Sequence, residues 1–305
     1  MSGAITQTQI RIRQRWVELL GGSANQFAET SQVTANLLRE DVDADGVQAL
    51  VGHLRFCGCI PESYGHDSTQ EKAYSKYTDS VISETLSYLG FQTIVLDGRA
   101  DMADVEAVGG DFDLVADAKA FRLTRTAKNQ KDFKVAAMDR WRYGKKYAAI
   151  VCPIDHLPAR TSQIYLDASS RNVCILSYSH LAALAVRRAS MGVSKTVDVM
   201  EKLLAVPSIL NPSKDAHVYW QLMDTTLLRA EPGMEEAWRG EKTASVQALN
   251  YLKREGLAHL SSERSRIMAM SHDEAIQALI DFGRISAREQ TIRGFTGSSL
   301  LDAGQ

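Results

Sequence analysis

Asp104, Asp117 and Lys119 are the residues whose types and spacing could do the most chemistry in this chain. Asp117-Ala118-Lys119 lies in a run, LVADAKAF, that reads as a strand. Strand side chains repeat every two residues, so Asp117 and Lys119 share a face. Asp104 lies on the preceding strand-like run, ADVEAV. If the two strands pair, both carboxylates reach one point with the ammonium beside them. Two carboxylates and waters make a hard oxygen site that suits Mg²⁺, with the Ala118 carbonyl as a further ligand. A lysine next to such a site can orient a water or balance charge on a pentavalent phosphorus, as metal-assisted phosphodiester hydrolysis requires.

The pattern D-x₁₂-D-x-K is weak by itself, because Asp and Lys are common on solvated strand edges. Two features strengthen it here. The flanks of Asp117 are apolar, and a charge in such surroundings is costly without a partner. Positive charge is also concentrated beside it. Residues 119–146 carry ten Lys or Arg against Asp132 and Asp139, a local charge of +8 in a chain whose net charge is −2. Charge concentrated in this way is aimed at an anion; the bland alternative is a solvated amphipathic face. Lys119, Arg122, Arg125, Lys128, Lys131 and Lys134 recur every third residue, a spacing that makes no single-faced stripe but can follow a curved phosphate backbone. Asn129 and Gln130 sit within the run and are side chains able to bond adenine bidentately.

These residues need elements to hold them. The first 56 residues read as helices, through RIRQRWVELL, Ser31–Glu40 and VQALVGHLRF. Ser68 followed by Glu71 predicts a capping box opening a helix over 69–89, with Gly90 as its stop. Strands follow at FQTIVLD, ADVEAV and FDLVADAKAF, the first closed by an Asp97-Gly98 turn. A helix is expected over about 127–143, strands at YAAIVCPI and NVCILSY, then a helix at HLAALAVRRAS. The order is helix, three strands, helix, two strands, helix: an α/β (α+β) core. Beyond residue 190 the pattern is helical, punctuated by Pro207, Pro212 and Pro232. The expected organisation is an N-terminal helical region at 1–66, a core at 67–190 and a helical C-terminal region at 191–305, serving dimerisation or DNA wrapping.

The stretch GDFDLVADAKAFRLTRTAKNQKDFKV closely resembles the HindIII family of type II restriction endonucleases, and Leu114 to Val135 is nearly the same. STQEK at 68–72, SQI at 162–164, Asn172-Val173 and HLA at 180–182 also match, with weaker echoes in ERS at 263–265 and EAI at 274–276. The resemblance is strong over about 60–184 and thin before residue 60. It implies a PD-(D/E)XK nuclease core, a central mixed sheet flanked by helices, Mg²⁺ dependence and a homodimer acting on double-stranded DNA. By position Asp117 and Lys119 take the (D/E)XK half and Asp104 the upstream acid, preceded by Ala103 where that pattern has Pro. Such enzymes often add a helix glutamate: Glu71 is favoured over Glu84, and a capping role is its bland alternative. The resemblance further implies the palindrome AAGCTT, cleavage between the adenines and 5′-phosphate ends, with the 122–134 segment gripping DNA. The rivals are a repair or junction nuclease of the same fold and a non-catalytic DNA-binding protein.

Composition removes other classes. No apolar run is long enough to span a membrane, and the first residues lack a secretory pattern, so a cytoplasmic location is expected. Four cysteines are too few for a disulfide scaffold and show no zinc spacing. The Gly-Gly pairs at 21 and 109 lack the Lys-Ser/Thr context of a phosphate loop, so no nucleotide cofactor is expected. Among the seven histidines, His180 opens a helix, where capping or packing outweighs catalysis. Trp16, Trp141, Trp220 and Trp238 read as core or interface anchors.

Overall fold

The computed structural model describes residues 3–22, 24–25, 31–96, 102–125 and 130–294. It divides into two compact units, 1–256 and 257–305. The boundaries expected at 66 and 190 both fall inside the first unit.

That unit begins with helices α1 (Gln7–Gly22), α2 (Ser31–Asp45) and α3 (Val47–Phe56), then α4 (Thr69–Leu89). The start and stop of α4 are where its capping residues place them. Ser68 Oγ accepts the Glu71 N–H at 3.2 Å, and Gly90 ends the helix with φ 115°, a conformation that costs glycine nothing.

Five strands follow: β1 (Gln92–Val95), β2 (Val105–Gly109), β3 (Phe112–Ala118), β4 (Tyr147–Cys152) and β5 (Val173–Ser177). They lie in the order β1-β2-β3-β4-β5. The β1–β2 and β2–β3 pairs are antiparallel and the β3–β4 and β4–β5 pairs parallel, so the sheet is mixed. Helix α4 packs across β1, β2 and β3. Leu114, Val115, Ile150, Val173, Ile175 and Leu176 have no solvent exposure. Each contributes roughly 1.5–3 kcal/mol through its burial. A strand buried in this way gives Asp117 no solvated face.

Parallel neighbours need a crossover. Between β3 and β4 the single helix expected over 127–143 is instead two short ones, α5 (Gln130–Phe133) and α6 (Val135–Trp141), with Lys134 between them in the left-handed region at φ 45°. Phe133 and Val135 are both buried. Residues two apart point to opposite sides of a continuous helix, so the break lets both face the core. Between β4 and β5 the chain forms α7 (Gln163–Arg171), which the expected element order omitted. Ser162 caps it, and Ile164, Tyr165, Ala168 and Ser169 form its buried face.

After β5 come α8 (Tyr178–Met191), α9 (Val193–Leu204), α10 (Val206–Ile209), α11 (Ala216–Leu228) and α12 (Met234–Met268), within which the unit boundary falls. Two ion pairs tie the N-terminal helices to the first part of α12: Arg13 to Glu255 at 2.9 Å, and the nearly enclosed Arg55 to Glu241 at 2.6 Å. The second unit contains the end of α12 with α13 (His272–Phe282) and α14 (Ile285–Arg293), and no side chain of α13 or α14 is buried. The predicted Asp97-Gly98 turn lies outside the described residues.

Candidate active site and nucleic-acid interface

The β2–β3 register pairs Val105 with Ala116, and one step further sets Asp104 opposite Asp117. The main chain continues the pairing: Asp104 N–H donates to Ala116 O at 3.1 Å. The Asp104 carboxylate turns back onto β3, where Oδ2 accepts the Ala118 N–H at 2.9 Å. Lys119, one residue past β3, is held by β4 through an N–H bond to Val151 O at 2.8 Å, and its Nζ forms an ion pair with Asp117 Oδ2. The structure therefore brings Asp104, Asp117, Ala118 and Lys119 together at the end of the central strand.

A third acid joins them. Asp79, buried near the middle of α4, acts on both Asp104 and Lys119. Sequence reasoning passed over Asp79. Its signal was a charge set within YTDSVIS, in a stretch of α4 that is otherwise uncharged, but only the packing of α4 on the sheet shows where that charge points.

The electrostatics follow from three acids around one base. Burial, then the charges of Asp79 and Asp117, push the Asp104 carboxyl well above the usual carboxylate range, with Lys119 opposing. For Lys119, burial works against the ammonium, but the charges of Asp117 and Asp104 outweigh it and raise its pKa. Asp117 Oδ2 is buried against the Lys119 ammonium, its close ion-pair partner. Carboxylate oxygens whose negative charge outnumbers the one ammonium beside them suit a hard divalent cation.

The helix glutamates have other partners. Glu71 Oε2 accepts the Asp67 N–H at 2.7 Å, and its Oε1 is 3.5 Å from Arg122. Glu71 therefore braces the turn before α4, bonding the N–H of Asp67 rather than that of Ser68 as the expected capping box requires, and none of its described bonds leads to Asp104, Asp117 or Lys119. Glu84 pairs with Arg39 at 2.7 Å. His66, Asp67 and Glu71 present ligand atoms within 4.8 Å of one another on the surface, with Arg122 at their side.

The basic run borders a cleft of about 550 Å³ lined by His66, Glu71, Phe121, Arg122, Thr124, Arg125, Lys131 and Lys134, among others. Its members do different things. Arg122 points inward, donating to Pro61 O at 2.9 Å and Gly65 O at 3.0 Å, and so holds the loop before α4. Arg125 pairs with Asp132. Lys131 and Lys134 are exposed, and Lys134 Nζ lies 5.6 Å from the centre of the Trp141 ring. Lys128, Asn129 and the Gln130 side chain lie outside the described residues.

Other titratable groups serve the core. Ser177 and His180 form a capping box, and burial lowers the His180 pKa to about 3. His53 bonds Tyr77 at 2.8 Å and Asp41 at 3.2 Å. All four cysteines are free and buried. Among the described residues no helix is long and apolar enough to cross a membrane.

With this geometry in view, comparisons with known proteins are specific. The Type II restriction enzyme HindIII of Haemophilus influenzae is 44% identical over 133 residues, which make up 43% of this chain and 44% of that enzyme. The aligned part thus spans less than half the length of that relative. The HindIII restriction endonuclease family model matches residues 14–296, nearly the whole chain, so this chain belongs to that family.

Proposed function

We propose that this protein is a cytoplasmic, homodimeric, Mg²⁺-dependent type II restriction endonuclease that cuts double-stranded DNA at a palindrome, AAGCTT, leaving 5′-phosphate ends. The observation that carries this reading is the convergence of Asp104, Asp117 and Lys119 at the end of β3, beside a cleft bordered by Arg125, Lys131 and Lys134. Asp104 and Asp117 would hold the ion, with Asp79 near enough to add charge and the Ala118 carbonyl as a further ligand. When bound, Mg²⁺ supplies a Lewis acid for the scissile phosphate and eases ionisation of water. The chain's own residues do the rest. Lys119, kept protonated by its carboxylate neighbours, orients the attacking water and offsets charge on the phosphorus. Exposed lysines of the 131–134 segment, with Arg125, bind the phosphate backbone, the usual destination of most protein–DNA contacts. Lys128, Asn129 and Gln130 are proposed to contact the bases and phosphates of the half-site.

A two-fold dimer matches a palindromic target, since each subunit reads one half. The C-terminal helices favour the dimer over DNA wrapping. In that unit Leu279, Phe282 and Ile292 are exposed by 71%, 90% and 74%. Between residues 263 and 293, Arg264, Arg266, Arg284, Arg288 and Arg293 are matched by Glu263, Asp273, Glu274, Asp281 and Glu289. An apolar, electrically balanced face suits another protein surface better than phosphate. Sedimentation should give a dimer, and Phe282→Glu should shift it toward monomer; a wild-type monomer at all concentrations would contradict this.

The function is tested by digesting a mapped plasmid with Mg²⁺ and sequencing the ends, with Asp117→Ala alongside. Discrete fragments ending at AAGCTT, absent for the variant, are expected. Structure-dependent nicking would favour a repair nuclease, and binding without cutting by both proteins a non-catalytic DNA-binding role.

A further inference from the structure

Lys119 stands where the β3 ladder stops and the chain turns away toward Phe121. Its N–H is fixed by Val151. Its carbonyl is fixed from a greater distance in sequence: the Tyr178 hydroxyl donates to Lys119 O at 3.0 Å. Tyr178 is the first residue of α8, directly after β5, so its ring reaches from the edge strand past β4 to the end of β3. The ring is 2% exposed. Its slot is tight on the near side. A Cβ at Gly58 would collide with Pro153 and come within 3.0 Å of Tyr178 Cε2. Burial raises the phenol pKa well above its ordinary value, so the hydroxyl stays a donor at neutral pH.

We propose that Tyr178 is a positioning residue for the hydrolysis: by holding the Lys119 peptide it aims the ammonium at the attacking water and the reacting phosphate. Val151 fixes one side of the residue and Tyr178 the other. Phe121 is pinned two residues on by its N–H bond to Gly58 O at 2.9 Å, so the Tyr178 hydroxyl orients the Lys119–Ala120 peptide between two anchors. Without it that peptide can tilt, and Nζ moves with it on a long side chain. Substrate affinity resides in the basic segment, which Tyr178 does not line. The hydroxyl therefore acts on turnover rather than on binding.

The inference rests on the nuclease reading, and one experiment separates the two. The full chain and Tyr178→Phe are compared on the DNA that the wild type cuts, with kcat, KM, DNA affinity in chelator and thermal unfolding measured for each. The expected result is a fall in kcat of about tenfold or more, the scale set by small misplacements of a catalytic group, with KM and metal-free DNA affinity unchanged and the melting temperature lowered only by the modest amount that one lost buried hydrogen bond entails. Unchanged kcat would overturn the proposal, as would a fall that comes with lost DNA affinity or with a variant partly unfolded at the assay temperature, since the hydroxyl would then be a general support. A wild type that cuts no DNA would sink the nuclease reading, and this inference with it.

Discussion

The end of β3 and the basic segment that follows it are close in sequence and opposite in their handling of charge. At the strand end, three acids and one ammonium are buried or half-buried on or directly beside regular structure, with negative charge in surplus. In the segment, cations outnumber acids, yet many already have partners: Arg125 with Asp132, Arg142 with Asp139, Lys145 with Glu106, Lys146 with Glu201. On the proposed function, the first region would hold a cation the chain does not itself supply. The second holds its charges in partly exposed pairs, those nearest solvent worth about 1 kcal/mol or less, that on the proposed function phosphate would replace. A rigid site for chemistry and a releasable one for binding are what a nuclease requires of adjacent regions.

The comparison breaks most visibly at Asp117. Asp117→Ala should lower the cleavage rate by roughly 10³-fold or more, because several kcal/mol of transition-state stabilisation pass through the ion it helps to hold. DNA binding in chelator should persist in a filter or anisotropy assay. Arg122→Ala comes next and tests the other side. Because Arg122 holds the Pro61 and Gly65 carbonyls, its loss should destabilise the fold by about 1–3 kcal/mol in chemical denaturation. It should leave the salt dependence of DNA binding unchanged.

The surplus of acid makes a third, less obvious prediction. Asp104 ionises less readily in the native protein than in the unfolded chain. Metal-free stability therefore declines as pH rises from the unfolded carboxylate range toward the elevated native value. Asp104→Asn should remove that decline and stabilise the chelated protein at pH 7 by on the order of 1 kcal/mol, while abolishing cleavage. A variant less stable than wild type at pH 7 would show that Asp104 is not under electrostatic strain. The smallest effect belongs to the exposed cations. Lys134→Ala should weaken DNA binding severalfold and reduce the salt slope by about one ion. If Arg122→Ala moved the slope as much, the division of labour within the segment would fail.

Much of this arrangement was legible because it is local. Ser68, Glu71 and Gly90 bound α4 at residues 69–89, and apolar runs marked all five strands. The meeting of Asp104 with Asp117 required only that consecutive strands pair. What was hidden depends on tertiary contacts. Asp79 looks like any helix acid until α4 lies on the sheet. Lys134 breaks a helix for the sake of two buried neighbours, Phe133 and Val135. Arg122 has the spacing of its basic neighbours but is turned inward by two carbonyls of a distant loop. The helix α7 is short, and the need for a crossover between β4 and β5 becomes visible only when those strands are seen to run parallel.

The central claim is that Asp104, Asp117 and Lys119 surround a divalent ion that cuts DNA. Its most direct test is cleavage of a plasmid carrying AAGCTT while Mg²⁺ is titrated from chelator to saturation, for the wild type and Asp117→Ala. The account predicts saturable, Mg²⁺-dependent cutting by the wild type, none in chelator, and bound but intact plasmid with the variant at every concentration. Cutting by Asp117→Ala at the wild-type rate, or cutting that persists in chelator, would contradict it.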